Sequence, residues 1–370
     1  GISFLIPRTD GLVLCIGDLE GRFAGNSKYV YLELLEQDDF DPVWISQSNT
    51  TTKQLREYDL PVRRRGTYRA AWAMLRADKI VLSHDITDWW FLGGATIVQT
   101  WHGNALKKLG RDKDNQSGIK SRIKQRILEG WDYFVVTGDG VPKQTFMSAY
   151  GHNANEILIT GYPRNDAIFQ DIQYSHLDGL GEHSDWKEFV SKSECILYMP
   201  TWRRGPHGSD GESFSNHGLD WGEISKFCEQ RDIEFLLKLH PTESESTEDH
   251  VNIHVMPDSV DVYDLLSDVD ILITDYSSVY FDYLLVNNPI VFYPYDLEAY
   301  SERRGFYFEY NSVTPGPKAT TQIELLHYLD TIIQGSDEYE VERTDLRETF
   351  YSDSDGNAAD RLVKRLHDID

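Results

Sequence analysis

Cysteine is scarce in this 370-residue chain, with only Cys15, Cys195 and Cys228. Three thiols cannot all pair with one another, and Cys15 and Cys195 sit inside strand-like runs. A disulfide framework is therefore excluded, and buried thiols in a reducing, cytoplasmic compartment are expected. Long apolar runs are missing too. Stretches such as Val269–Thr274 fall far short of the ~18 consecutive residues that a membrane helix needs. The opening residues Gly1–Pro7 have neither the basic start nor the apolar length of a secretory leader, so none is expected there. Positive charge is in deficit: 36 Lys and Arg stand against 61 Asp and Glu, a formal net charge of −25. Such a chain is a poor general binder of nucleic acid. Hydrophobic residues (40%) and aromatics (12%) suffice for real cores, which excludes global disorder.

Several familiar chemical signals are also absent. There is no Gly-x-x-x-x-Gly-Lys-[Ser/Thr] phosphate loop, and no Gly-x-Gly-x-x-Gly follows the first strand-like run. There is no Gly-x-Ser-x-Gly elbow and no His-Glu-x-x-His helix. The twelve histidines show no metal-ligand spacing, so no metal site is expected.

The charge that is present is unevenly placed. Gly1–Asp178 holds 21 basic and 22 acidic residues, a net of −1; the remainder holds 36 − 21 = 15 bases and 61 − 22 = 39 acids, a net of −24. Lys107–Arg126 gathers eight bases with two acids, and Arg63, Arg64, Arg65 and Arg69 form a second cluster. Each is either a solvated face or a site for an anionic acceptor or lipid headgroup.

Short apolar, β-branched runs alternate with helical patterns. The first half predicts strands at Leu12–Ile16, Pro42–Ile45, Lys79–Leu82, Thr96–Thr100, Tyr133–Val136 and Ile157–Thr160. Between them it predicts helices at Lys28–Leu35, Thr67–Leu75, Ile119–Leu128 and Pro142–Tyr150. The second half predicts strands at Cys195–Met199, Glu234–Lys238, Ile253–Val255, Val269–Thr274 and Pro289–Phe292. Its helices are expected at Trp221–Glu229, Val262–Leu266, Ser278–Leu285, Ile323–Ile333 and Ala358–His367. Continuous rather than alternating hydrophobicity suits strands buried on both faces of parallel sheets. The expectation is α/β: two doubly wound, Rossmann-like domains, 1–178 and 186–350, joined by the polar stretch Gln173–Asp185. A terminal helix within 351–370 would pack back on the first domain.

In such sheets, ligands bind beyond the carboxyl ends of strands. Gln99–Gly110 holds His102 and Gly103 directly after a strand, then Lys107 and Lys108 about one turn later. His102 either satisfies local backbone groups or acts as a base toward a hydroxyl. Leu237–Pro241 places His240 after another strand, as a turn histidine or a donor to a phosphate oxygen. Ile271–Asp282 runs from strand to Thr274, Asp275, Ser277 and Ser278. There a serine is either an N-cap or, with the helix start, part of a pyrophosphate grip. Arg203 in Tyr198–Arg204, Arg164 in Gly161–Asp166 and Arg304 in Arg303–Tyr307 supply forks that match phosphate oxygens.

Together with Gly25–Tyr29, Asp261–Tyr307 and Pro315–Pro317, these motifs resemble the CDP-glycerol glycerophosphotransferase family, the teichoic-acid primases and polymerases. The specific parts are Thr100–Gly103 with Leu106–Gly110, and Thr274–Ser278. Asn104 and Ala105 stand where family members often have Thr-Pro. The resemblance implies a GT-B-like fold with the active site in the interdomain cleft. It also implies transfer of a polyol phosphate, glycerol phosphate first, from a CDP-activated donor to an acceptor hydroxyl, with release of CMP. His102 and His240 would be catalytic. Arg203, His240, Thr274, Asp275, Ser277, Ser278 and Arg304 would bind donor; Gly103, Asn104, Lys107, Lys108 and Arg164 would bind acceptor. No cofactor beyond the CDP-glycerol substrate is implied. The acceptor would be lipid-linked or polymeric, with any membrane contact peripheral, through the basic clusters at the inner face. Two other readings stay open: a GT-B sugar transferase using a nucleotide-sugar, and a non-catalytic module binding an anionic polymer.

Overall fold

A computed structural model describes residues 6–17, 22–84, 94–113, 130–177, 183–201, 218–239 and 250–369. The first sheet is built from β1 (Leu12–Ile16), β2 (Asp41–Ser46), β3 (Val62–Arg64), β4 (Lys79–Leu82), β5 (Thr96–Gln99), β6 (Tyr133–Val136) and β7 (Ile157–Ile159). Its order is β3-β2-β1-β4-β5-β6-β7, with every pairing parallel. The second sheet holds β8 (Cys195–Met199), β9 (Glu234–Leu237), β10 (Ile253–Val255), β11 (Ile271–Thr274) and β12 (Ile290–Phe292). Its order is β10-β9-β8-β11-β12, again all parallel. Both orders are doubly wound, reversing beside the first strand of the sheet. That reversal is where such sheets open a crevice for ligands.

The described helices are α1 (Asn26–Leu34), α2 (Asn49–Glu57), α3 (Tyr68–Arg76), α4 (Val141–Tyr150), α5 (His183–Ser191), α6 (Trp221–Glu229), α7 (Val279–Tyr283), α8 (Leu297–Arg304), α9 (Gln322–Ile333), α10 (Glu340–Phe350) and α11 (Ala358–Asp368). Central strands are sealed on both faces: Val13, Leu14 and Cys15 of β1, and Leu272 and Ile273 of β11, have no exposed surface. Truncating one such leucine would cost about 2–5 kcal/mol. All three cysteines are free and buried. Burial pushes the Cys195 and Cys228 thiols up to about 12, which leaves them inert.

Contacts divide the chain into two compact units. Unit 1 is Gly1–Asn104, Leu109–Ser184 and Thr349–Asp370; unit 2 is Ala105–Lys108 with Asp185–Glu348. Residues 105–108 join unit 2 because Lys107 forms an antiparallel bridge with Phe306. The Lys108 N–H donates to Gly305 O (3.1 Å), and the Tyr307 N–H to Leu106 O (2.9 Å). Helix α11 returns to unit 1 and packs on α1 and on the 3-10 turn Pro163–Ile168.

Several elements differ from expectation. The stretch expected as linker is already helical from His183. Val262–Leu266 forms not a helix but two 3-10 turns, Val262–Asp264 and Leu266–Asp268. Strand β3 and helices α2, α5, α8 and α10 were not expected. Helix α2 carries three consecutive threonines, poor helix formers, and depends on the Ser48 hydroxyl accepting from the Thr51 N–H. The helix expected at Ile119–Leu128 lies outside the described residues.

Candidate active site

Polar groups gather after the carboxyl ends of β1, β4 and β5. The Asn26 amide, at the start of α1, donates to Thr100 O (3.0 Å) and to Trp101 O (2.9 Å). Its Oδ1 accepts the Arg164 N–H (3.1 Å). One buried side chain thus clamps the backbone leading into His102 and ties it to the turn that carries Arg164. The Ser83 hydroxyl accepts the Ser27 N–H (2.8 Å) and lies 2.6 Å from the Ser27 hydroxyl. Thr100 Oγ1 donates to Leu82 O (2.8 Å). Gly25 sits at φ +75°, a conformation that favours glycine, directly before this cluster.

Trp101 is held at φ +56°, a left-handed conformation that is an outlier for a bulky residue and of the kind that clusters at functional sites. Its N–H donates to the Gln99 side-chain oxygen (2.9 Å). Its indole is locked among Trp131, Phe134, Phe146 and Tyr150. The reversed backbone then presents His102 and Gly103, the latter at φ +139°.

Two rings stack on the His102 imidazole: Trp101 at 4.2 Å and 28°, and His84 at 4.4 Å and 5°. His102 Nδ1 lies 3.3 Å from Ser83 O. A carbonyl oxygen can only accept, so this contact favours the tautomer with the proton on Nδ1. Nε2 is then left as an acceptor, which is what a general base needs.

Asn104 is buried. Its Oδ1 accepts the Thr137 hydroxyl (3.0 Å), and its Nδ2 has no partner among the described residues. A buried amide donor without a partner is costly and suits a ligand oxygen. Arg164 is buried, its guanidinium 5.7 Å from the Tyr162 ring centre. Lys107 and Lys108 belong to unit 2, where Lys108 packs against Gly305, next in the chain to Arg304. Arg304 ends α8 and is exposed.

In unit 2, Thr274 and Asp275 are fully buried and serve the scaffold. The Thr274 hydroxyl donates to Met199 O (2.7 Å). Asp275 Oδ1 accepts the N–H groups of Thr201 (2.8 Å) and Tyr276. Tyr310 donates its hydroxyl to Asp275 O (2.8 Å), and Tyr276 stacks on Tyr300 at 4.1 Å. Ser277 and Ser278 are half-buried. Ser278 occupies the N-cap of α7 but makes no side-chain cap bond. Helix α7 has only five residues; with so few aligned peptide dipoles, an anion there would be held mainly by hydroxyl and N–H groups. Arg203 and His240 lie outside the described residues. Among those described, no group of three His, Cys, Asp or Glu side chains could hold a metal ion, and no helix is long and apolar enough to cross a membrane.

Sequence reasoning passed over three residues here. His84 lies two residues after the end of β4, so the rule that found His102 also points to it. Asn26 lies in the quoted Gly25–Tyr29 motif. Asn165 lies beside Arg164 and is buried, with neither amide atom partnered among the described residues.

The sequence profile of the CDP-glycerol:poly(glycerophosphate) glycerophosphotransferase family matches residues 2–368. A teichoic acid glycerol-phosphate transferase of Staphylococcus aureus is 29% identical over 357 residues, spanning 93% of this chain and 90% of the relative. A teichoic acid poly(glycerol phosphate) polymerase of Bacillus spizizenii is 30% identical over 345 residues, spanning 87% and 84%. The solved wall teichoic acid polymerase TagF superposes with a TM-score of 0.79 at 23% identity, covering 98% of this chain and 89% of that one. That likeness agrees with two Rossmann-like, GT-B-like units.

Proposed function

We propose that this chain, which belongs to the CDP-glycerol:poly(glycerophosphate) glycerophosphotransferase family, transfers glycerol phosphate from CDP-glycerol to an acceptor hydroxyl in synthesis of a teichoic-acid-like polymer. The observation that carries the reading is the contact between His102 Nδ1 and Ser83 O. In the neutral imidazole it puts the proton on Nδ1 and leaves Nε2 as the nitrogen that can take one. On this reading His102 deprotonates the acceptor hydroxyl, and the oxygen attacks the β-phosphorus of the donor. The bond from that phosphorus to the bridging oxygen breaks, and CMP leaves with the electron pair.

Asn104 Nδ2 and Arg164 would orient the acceptor. Ser277 and Ser278, with His240, Arg203 and Arg304, would carry the phosphate charge, an assignment that follows family motif positions. Charge stabilisation by such preorganised donors is usually the largest catalytic contribution, and no metal is needed on this account. The acceptor is proposed to be lipid-linked or polymeric, reached at the inner membrane face through peripheral contact by basic residues.

The test is CMP release from a panel of CDP-polyols and nucleotide-sugars with acceptor present. CMP should appear with CDP-glycerol, and His102→Ala should lower its rate by about 10²–10⁴. Parent-like turnover in that variant would overturn the assignment, and release of nucleotide only from sugar donors would point to a sugar transferase.

A further inference from the structure

Of the two basic clusters in the sequence, the one around β3 and α3 is built as a cavity. Residues 62–76 contain five arginines and no acid. Helix α3 begins at the Thr67 cap, whose hydroxyl accepts the Ala70 N–H (3.3 Å), and buries Ala70 and Met74. Arg69, Trp72, Ala73 and Arg76 then fall at i, i+3, i+4 and i+7, one face of the helix. That face, with Arg63 of β3 and Tyr68, lines a cavity of about 370 Å³, within the range of about 300–1,000 Å³ that small-ligand sites occupy. Ala73 leaves the dent between the two long arginines. Among the described residues, no carboxylate lines it.

Its rim is aromatic and open. Tyr68 is 80% and Trp72 45% exposed, and their rings stack at 6.4 Å and 14°. The Arg76 guanidinium lies 5.8 Å from the Trp72 ring centre. The lining reaches Thr9 and Leu12 at the amino end of β1, whereas His102 follows the carboxyl end of β5.

We propose that this cavity is a second anion site, one that holds a phosphodiester segment of a polyol-phosphate chain; the ligand's identity rests on the proposed function. Arginine forks match phosphate oxygens two at a time. Arg69 and Arg76 are seven residues apart, about 10 Å along the helix axis, which suits a ligand with anionic groups in a row rather than one phosphate. The stacked Tyr68 and Trp72 offer flat faces to the polyol carbons. A concave site favours a chain segment over the flat face of a bilayer.

The test is calorimetry on the full chain with a synthetic hexamer of glycerol phosphate, beside inorganic phosphate and beside vesicles of phosphatidylglycerol in phosphatidylcholine. The hexamer should bind, and Arg69→Glu and Trp72→Ala should each raise its Kd at least tenfold. Both positions are exposed, and circular dichroism checks their folding. Parent-like Kd in both variants, no hexamer binding, or inorganic phosphate binding as tightly as the hexamer would each overturn the proposal. So would vesicle binding that depends on Arg69 while hexamer binding does not. Because the readout needs no turnover, failure here leaves the proposed reaction standing. Hexamer binding without CMP release would sink that reaction and leave this site intact.

Discussion

The imidazoles of His84 and His102 lie ring on ring, 4.4 Å apart and 5° from parallel. Such a stack restricts the tilt of the ring whose Nε2 is proposed to face the acceptor. His84→Ala should therefore lower kcat about ten- to a hundredfold, since small misplacements of a catalytic group cost that much. KM for CDP-glycerol should be unchanged. His84→Phe keeps a flat ring and should restore most of kcat. Equal losses in both variants would show that His84 acts through its own nitrogens instead.

Asn26 fixes three backbone groups around the same loop. Asn26→Ala strips partners from buried carbonyls and an N–H, which costs about 1–3 kcal/mol. A lowered unfolding midpoint together with slower CMP release is expected. A stable but slow variant would assign the residue to positioning alone, and a parent-like one would remove it from both roles.

Ser277 and Ser278 make no side-chain hydrogen bond among the described residues, so replacing them should spare the fold. Each bond to a charged phosphate is worth about 1.5–3 kcal/mol. Ser277→Ala and Ser278→Ala should thus each weaken CDP-glycerol binding about ten- to a hundredfold, with an unchanged melting temperature. Calorimetry showing parent affinity in the double variant would end their role.

Asp166 caps the start of α11 by accepting the N–H groups of Ala358 (2.8 Å) and Ala359 (2.7 Å). Burial nonetheless pushes its carboxyl up to about 6, against the pull of those N–H groups and of Arg361. A folded value above the unfolded one, about 3.9, means that the folded state keeps the proton longer. The stability this group contributes is then full below pH about 4 and is lost as pH rises through about 6. The melting temperature of the parent relative to Asp166→Asn should fall across that window and level off above it. Parallel curves for the two proteins would refute the shift.

Much of the scaffold was legible because strands buried on both faces write themselves as unbroken apolar runs. Leu12–Ile16, Lys79–Leu82, Tyr133–Val136 and Cys195–Met199 were read to the residue. What stayed hidden depends on distant partners. Lys107 pairs with Phe306, so two candidates grouped with the acceptor side by sequence fold with unit 2. Asp166 meets a helix start 192 residues later, which no local pattern announces. Thr274 and Asp275 looked like ligand groups after a strand, yet their polar atoms turn inward to hold Met199 and Thr201. Ser278 looked like a cap and leaves its hydroxyl uncommitted.

The first sheet's unit is assembled from segments that precede and follow the second unit in sequence, including helix α11 against α1. On a ribosome, α1 would emerge hundreds of residues before the helix that covers it. Folding of that half must therefore wait until α11 has been made, while the uninterrupted stretch Asp185–Glu348 is released earlier. A stalled or prematurely ended message would yield a domain with an uncovered apolar face, a natural target for chaperones and proteases.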